Sequence, residues 1–298
     1  MPGLGRPRQR LKARTHSLRR TGCRRAVRAQ IYGQGRQATR CEPQQTEAQT
    51  TIQTNGVTLC LTFPGQPCDG WGIAFADGKD THVWREPHAA AQSPWVDCLQ
   101  HIPIHSRLVI AHIRRATQGK TSLANTQPFV RELWGRTHAF AHNGDLGTHP
   151  VVVRSPLQRF QPIGETDSEA AFCEYLDDIA SSDGCAEVVL ARFIEMVRHL
   201  RELGPANILY ASDERLLVHA DRRKQTSGAI EPPGLWLLER SCEPDSRARE
   251  SAALSVSGNA LKVVLVASVP LTSEPWRPLA RGTVLIIEGA TVVEVEAV

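Results

Sequence analysis

Three stretches of this sequence combine residue types that could hold a small amino-acid-like molecule. Arg114 ends an apolar run and offers a planar guanidinium that matches the two oxygens of a carboxylate. Asn143-Gly144 is predicted to form a turn with glycine at φ > 0, in which a side-chain amide and a backbone N–H both donate to one oxyanion. Residues 164–169 place an acid where it could accept hydrogen bonds from an ammonium group. Together they describe a binding site for a free amino acid amide, namely glutamine or a γ-glutamyl compound.

Five motifs occur in an order and approximate spacing that resembles the class II glutamine amidotransferases. They are Asp69-Gly70-Trp71-Gly72, His112-Ile113-Arg114-x-Ala116-Thr117, Asn125-Thr126-x-Pro128-Phe129, Ala141-His142-Asn143-Gly144 and Thr166-Asp167-Ser168-Glu169. The chain looks most like the stand-alone bacterial branch of that family, and the similarity runs from about Leu59 to the C-terminus. A single tetrapeptide would be weak evidence, whereas five in register are strong.

The resemblance implies a role for each of six residues. It assigns the oxyanion hole to Asn143 and Gly144, the substrate carboxylate to Arg114 and Thr117, the substrate amine to Asp167, and packing beneath the substrate pocket to Trp71. Structural alternatives stay open for two of them. Asp167 could cap a helix, and Trp71 could be a core residue beside a plain turn.

The resemblance also implies a cysteine nucleophile at the mature N-terminus, with its own α-amino group as base. Met1 is followed by Pro2-Gly3-Leu4, so that cysteine is not found at this position. Cys41 precedes a polar segment, Cys60 lies in an apolar run typical of a core, and Cys68 lies in a turn-rich loop. Two functions therefore remain open: a glutaminase-type amidohydrolase that acts through a cysteine thioester, or a catalytically inactive relative that binds a γ-glutamyl ligand.

The first 41 residues differ in charge from the rest of the chain. They contain no Asp or Glu and carry twelve of the 35 basic residues, which leaves 23 basic residues against 31 acidic ones, a balance of about −8. The net charge of +4 therefore conceals an acidic body. We predict that residues 1–51 form a basic leader without regular structure and that residues 52–298 form one class II glutamine amidotransferase-like domain.

Four interpretations of the leader are open. A nucleic-acid-binding arm would need aromatic residues for base stacking, and Tyr32 is alone. A mitochondrial-type presequence would be richer in serine and more clearly amphipathic. Cleavage before Cys41 would create a new N-terminal cysteine. We favour the fourth interpretation, an irrelevant tail or an out-of-frame translation of a GC-rich gene, because the resemblance begins abruptly near Leu59.

Length and composition are those of an ordinary soluble protein. The chain of 298 residues can bury one full core, and no apolar run approaches the about 20 residues of a membrane span. Its eight cysteines include no Cys-x-x-Cys pair, which favours a reduced, cytoplasmic protein. Because no histidines show metal-ligand spacing, we predict neither a metal nor a cofactor. A transferase would need an acceptor or synthase partner protein, since the resemblance covers a glutaminase domain alone.

Hydrophobic periodicity predicts the fold class. Apolar residues recur at helical spacing after Asp167 and again from about Ala186 to Leu203, whereas alternating or continuous apolar runs before and after indicate strands. Strands, two helices and further strands fit an α+β protein. The resemblance implies the four-layer αββα sandwich of the N-terminal nucleophile hydrolases.

Overall fold

A computed structural model of the chain describes residues 25–32, 51–54, 57–60, 69–100, 106–115, 119–147, 158–213, 215–242, 254–256 and 261–295. The strands in these ranges are β1 (Arg25–Tyr32), β2 (Thr51–Thr54), β3 (Val57–Cys60), β4 (Gly70–Asp77), β5 (Asp80–Glu86), β6 (Leu108–Arg114), β7 (Phe129–Leu133), β8 (Arg136–Gly144), β9 (Ala206–Ser212), β10 (Arg215–His219), β11 (Arg223–Lys224), β12 (Ile230–Glu231), β13 (Trp236–Cys242), β14 (Leu254–Val256), β15 (Leu261–Ala267), β16 (Arg277–Pro278), β17 (Val284–Glu288) and β18 (Thr291–Val295). The helices are α1 (Pro94–Gln100), α2 (Asp167–Ala180) and α3 (Ala186–Leu203).

Two large sheets form the centre of the protein. Sheet I has the strand order β16-β13-β15-β1-β6-β4-β5, and sheet II has the order β18-β17-β10-β9-β8-β7. Sheet II is antiparallel throughout, whereas β1 runs parallel to both of its neighbours in sheet I. The strands β6 and β8, which carry the predicted substrate-binding and oxyanion residues, therefore belong to different sheets.

Alternation along the strands separates three apolar layers. Ile110 of β6 and Ala141 of β8 pack between the two sheets. Because successive side chains of a strand point to opposite faces, Phe140 lies on the outer face of sheet II, where it packs with Phe172 of α2. Val96 of α1 packs on the outer face of sheet I. The layers are therefore helix, sheet, sheet and helices, which confirms the predicted αββα sandwich.

The structure differs from the sequence prediction in part of the leader. Residues Arg25–Tyr32, predicted to lack regular structure, form β1 between β15 and β6. Both neighbouring strands offer backbone hydrogen-bonding groups to this segment. The sequence did not predict the strand because its local apolar pattern is weak and the pairing partners are distant in the chain. Residues 1–24 and 33–50 lie outside the described ranges, so the predicted domain limits stay a prediction.

Local sequence signals account for the two long helices. The hydroxyl of Thr166 accepts a hydrogen bond from the backbone N–H of Glu169 at 3.2 Å and so caps α2. Helix α3 has the predicted limits and buries Val189, Phe193 and Val197 at helical spacing. Of the helices in the described ranges, none is both long and apolar enough to cross a membrane.

Candidate functional site

Arg114 lies at the end of β6, a buried strand of sheet I. All seven residues of β6 are buried, and Arg114 itself is only 4% exposed. Its Nη2 donates to the carbonyl oxygen of Gly119 at 3.3 Å. Burial lowers the pKa of Arg114, which nearby Asp69 raises, and a guanidinium stays charged under either influence. The structure therefore places a buried positive charge where the sequence predicted a carboxylate-binding group.

Asn143 and Gly144 end β8, and the predicted turn is wrong. Both residues belong to the strand, opposite Asn207 and Ala206 of β9, and Gly144 is not among the residues with positive φ. Glycine is needed here for a different reason. A Cβ at this position would lie 1.7 Å from the carbonyl oxygen of Pro205, closer than any side chain could fit.

The end of β8 is fixed from two sides through His142. Its backbone N–H donates to Oε1 of Gln127 at 2.6 Å. Its ring lies between the hydroxyl of Ser168, 2.9 Å from Nδ1, and the carbonyl oxygen of Pro205, 3.1 Å from Nε2. The strand that delivers Asn143 is thus tied to α2 and to the loop before β9.

Asp167 joins the start of α2 to the loop after β8. One carboxylate oxygen accepts from the backbone N–H of Leu146 at 2.9 Å, and the other from the backbone N–H of Ser168 at 2.7 Å. Since Thr166 supplies the helix cap, Asp167 is the first helical residue, and its half-buried carboxylate holds residues just beyond Asn143-Gly144.

Asn125 connects the loop after β6, which contacts Arg114, with the loop before α2, which leads to Asp167. Its Nδ2 donates to the carbonyl oxygen of Lys120 at 2.9 Å, and its Oδ1 accepts from the backbone N–H of Glu165 at 2.8 Å. Close contact depends on Gly164, because a Cβ there would lie 2.2 Å from Oδ1 of Asn125. The sequence placed Asn125 in a motif without assigning it a role; its function is to hold two loops together.

His112 is a further buried group that sequence reasoning left without a role. It lies two residues before Arg114 on the same face of β6. Among the described residues neither ring nitrogen makes a hydrogen bond of normal geometry, although the backbone of His142 lies close enough to favour the protonated ring. Burial, reinforced by His142 and Arg114, lowers the pKa of His112 to about 3, so the ring is neutral at physiological pH. The Asn143 Oδ1 is likewise buried and meets no donor within the part of the chain that the structure describes.

Of the two remaining predicted residues, the structure describes Trp71 alone. Trp71 is fully buried on the α1 side of sheet I, where its Nε1 donates to Glu86 at 2.9 Å. Its strand neighbour Gly70 pairs with Arg114, so the indole points to the opposite face of the sheet from Arg114. This placement is the core alternative, and we leave Trp71 out of the site. Thr117 lies outside the described residues.

The cysteines whose side chains are described do not have the properties of a nucleophile at this site. Cys173 is buried in α2, where desolvation raises the pKa of its thiol to about 11. Cys98 belongs to α1 on the outer face of sheet I, and Cys185 precedes α3. Cys41 and Cys68 lie outside the described residues, and for Cys60 the description covers the strand alone.

Comparison with known families gives a match over most of the chain. A sequence model of the family described as class-II glutamine amidotransferases matches residues 44–297. The Escherichia coli protein YafJ, provisionally named a glutamine amidotransferase, is 33% identical over 220 residues, which cover 72% of this chain and 82% of YafJ. A Haemophilus influenzae protein of similar provisional name is 40% identical over 154 residues, so the match spans about half of that relative's length, 51%.

Solved structures give the same family. The crystal structure of a predicted glutamine amidotransferase from Pseudomonas aeruginosa is 32% identical, with a TM-score of 0.58 over 76% of this chain and 87% of that one. Glutamine phosphoribosylpyrophosphate amidotransferase from Bacillus subtilis is 17% identical, with a TM-score of 0.50 over 78% of this chain and 43% of its own. The latter likeness concerns the fold alone.

Proposed function

The chain belongs to the class II glutamine amidotransferases, and from this premise we propose that it binds glutamine or a γ-glutamyl compound and cleaves the side-chain amide. The observation that carries the proposal is the buried guanidinium of Arg114, linked through Asn125 to the Asp167 loop. The planar fork of a guanidinium matches the two oxygens of a carboxylate, so the α-carboxylate of the substrate is the group that we assign to Arg114.

Each group of the site has a role in the proposed reaction. Arg114, assisted by Thr117, binds the α-carboxylate of the substrate, and Asp167 accepts hydrogen bonds from its α-ammonium group. A cysteine thiolate attacks the γ-carbonyl carbon, and the oxyanion that forms accepts hydrogen bonds from Asn143 and Gly144. The carbon–nitrogen bond then breaks, and ammonia or an amine leaves with a proton. Water cleaves the thioester to give the γ-carboxylate and restore the thiol.

The fate of the ammonia depends on a partner. Release into solution would make the protein a glutaminase, while transfer to an acceptor would require a synthase protein that docks beside the site. We propose that the family role extends to such an acceptor, because the family is that of the amidotransferases, in which the amide nitrogen is transferred.

A second candidate function is binding without turnover. It is supported by the chemistry of the cysteines with described side chains, among which Cys173 has a raised pKa and Cys98 and Cys185 belong to other parts of the fold. Loss of a covalent nucleophile removes most of the acceleration, whereas binding by Arg114 and Asp167 would persist. A protein of this kind would sense or buffer a γ-glutamyl ligand.

The test combines a turnover assay with determination of the N-terminus. Protein purified from its native source is analysed by intact mass and N-terminal sequencing, then incubated with L-glutamine while glutamate and ammonia are measured. Equal amounts of both products, abolished by replacing an N-terminal cysteine but kept in Cys185→Ser, would support the amidohydrolase. Binding of glutamine without either product would support the second candidate. Neither binding nor turnover would contradict both.

A further inference from the structure

The carbonyl oxygen of Asn143 is held by a buried side chain of the neighbouring strand. Asn207 lies directly opposite Asn143 in the β8–β9 pairing and is completely buried. Its Nδ2 donates to the Asn143 carbonyl oxygen at 2.9 Å and to the Arg222 carbonyl oxygen at 2.9 Å. Its Oδ1 accepts from the backbone N–H of Asp221, also at 2.9 Å. Both ends of the carboxamide are therefore engaged, which fixes its orientation.

Asp221 is itself anchored from two directions. Its buried carboxylate accepts from the backbone N–H of Ala206 at 3.2 Å and from Nε of Arg281 at 2.9 Å. A buried carboxylate without such partners would be strongly unfavourable, so the ion pair with Arg281 stabilises its position. Gly234 packs directly against Asn207, because a Cβ at that position would lie 1.8 Å from Oδ1 of Asn207.

The planarity of the peptide bond carries this constraint to Gly144. In a trans peptide the C=O of one residue and the N–H of the next point in opposite directions. Since the Asn143 carbonyl points toward Asn207 on β9, the Gly144 N–H points to the other side of β8. The backbone N–H of His142, two residues earlier, points to that same side, where it meets Gln127.

On that side, the pairing of β8 with β7 does not extend as far as Gly144. The pairing of β7 with β8 ends at Phe129 opposite Phe140, four residues before Gly144. The Gly144 N–H is therefore directed beyond the end of the β7–β8 ladder, and Gly144 itself is only half-buried.

We infer that Asn207, held by Asp221, is a positioning residue that directs the Gly144 N–H at the γ-carbonyl oxygen of the substrate. The inference rests on the proposed role of Asn143 and Gly144 as oxyanion donors. In this proposal Asn207 does not contact the substrate. It acts by fixing the orientation of the peptide plane between Asn143 and Gly144. Rotation of that plane would replace the donor with the Asn143 carbonyl, which repels an oxyanion.

The test uses two ligands that differ only at the γ-position. L-Glutamine carries the γ-carbonyl, whereas L-norvaline carries the same α-amino and α-carboxylate groups with a plain alkyl end. In Asn207→Asp the carboxylate can no longer donate to the Asn143 carbonyl. Calorimetric titration of the full chain is expected to show glutamine affinity lower by about fivefold to tenfold, the equivalent of one hydrogen bond, with norvaline affinity within about twofold of wild type.

Tyr210→Phe is the matched control. Tyr210 is equally buried on β9, and its hydroxyl lies 2.6 Å from Nδ1 of His138 on β8, near the opposite end of the same strand pair. A loss of general stability would affect ligand binding similarly in both variants. The control is expected to leave the affinity ratio of glutamine to norvaline unchanged. An unchanged ratio in Asn207→Asp, or equal weakening of both ligands, would overturn the inference.

Two measurements separate this inference from the proposed function and from a folding defect. If wild type binds neither ligand, the proposed function fails. The peptide orientation is then tested by the ¹⁵N–¹H chemical shift of Gly144, which is expected to move in Asn207→Asp and not in Tyr210→Phe; no movement would overturn the inference. If Asn207→Asp does not fold, Asp221→Asn is used in its place. A change in the ¹⁵N–¹H chemical shift of Gly144 no larger than that in Tyr210→Phe would then overturn the inference.

Discussion

Asn143 and Gly144 end β8 under two different constraints. Asn143 is buried, and its backbone carbonyl oxygen accepts a hydrogen bond from Asn207. Gly144 is pressed against the backbone of Pro205. The first constraint fixes the backbone of Asn143, and the second forbids any side chain at the neighbouring position. The function proposed for the pair thus depends on a close backbone approach, not on an unusual backbone angle.

Gly144→Ala is therefore expected to destabilise the protein more than a substitution in an open turn. The new methyl group would lie 1.7 Å from the Pro205 carbonyl oxygen and force the two segments apart, at a cost of about 2 kcal/mol or more. Gly78→Ala is the control, because Gly78 has φ 63° and no atom within 4 Å of a Cβ, so its cost is about 1 kcal/mol of backbone strain. Urea denaturation measures both. Equal free energies of unfolding would contradict the crowding at Gly144.

Residue types and the family resemblance together predicted part of this candidate site. Arg114 and Asn143 were recognisable because a guanidinium and an amide beside glycine have few uses at the ends of strands. Asn207 was not, since its partner Asn143 is 64 positions away in the sequence and only the β8–β9 pairing brings them together. For Trp71 a pocket role and a core position both stayed open, because a motif gives no information about which face of a strand a side chain occupies.

The start of α2 connects the helix layer to the site. Besides Asp167, the turn before the helix is held by Glu169, whose Oε2 accepts from the backbone N–H of Gly164 at 2.6 Å. Its Oε1 lies 2.6 Å from Nη2 of Arg131 on β7. Glu169, quoted within a family motif, thus acts as a structural link between sheet II and the loop that Asn125 also binds.

Glu169→Gln is expected to destabilise the protein by about 2 kcal/mol or more, because it leaves the Arg131 charge partly buried without its counter-ion. An exposed ion pair provides the comparison: in α3, Arg192 and Glu195 are 2.7 Å apart with side chains 45% and 59% exposed. Glu195→Gln should cost less than about 0.5 kcal/mol. Thermal or chemical denaturation measures both variants. Similar effects at the two sites would show that the Glu169 pair contributes no more than a surface contact.

Helices and strands differed in how well they could be predicted. Helix α3 was predicted with its observed limits because its apolar repeat is local in the sequence. Strand β1 was missed because what makes it a strand is pairing with β6 and β15, far along the chain. The predicted turn at Gly144 failed for a related reason, since β9 extends the ladder to the end of β8.

Across the whole molecule, buried histidines make stability depend on pH. Desolvation is the main cause that lowers the pKa of His112 to about 3 and that of His219 to about 4. Both rings are therefore neutral in the folded protein, whereas in the unfolded chain each binds a proton near pH 6.5. Their contribution to stability is complete above pH 6.5 and is lost as the pH falls from 6.5 toward these folded pKa values.

His219→Gln is expected to reduce this dependence. Wild type should lose up to about 3 kcal/mol through His219 between pH 6.5 and 4, at about 1.4 kcal/mol per pH unit. In the variant this part of the slope disappears, while the carboxylates and His112 still contribute. The measurement is the free energy of unfolding by urea at half-unit pH steps. Parallel curves for wild type and variant would mean that His219 is protonated in the folded state.

The most direct test of the central claim, that Arg114 binds the carboxylate of a glutamine-like ligand, is a comparison of two ligands by calorimetry. L-Glutamine and 4-aminobutanamide differ only in the α-carboxylate. Wild type is expected to bind glutamine at least about tenfold more tightly, and Arg114→Lys, which keeps the charge but loses the planar fork, should erase most of that difference without weakening 4-aminobutanamide binding. Equal affinity of wild type for the two ligands would contradict the claim.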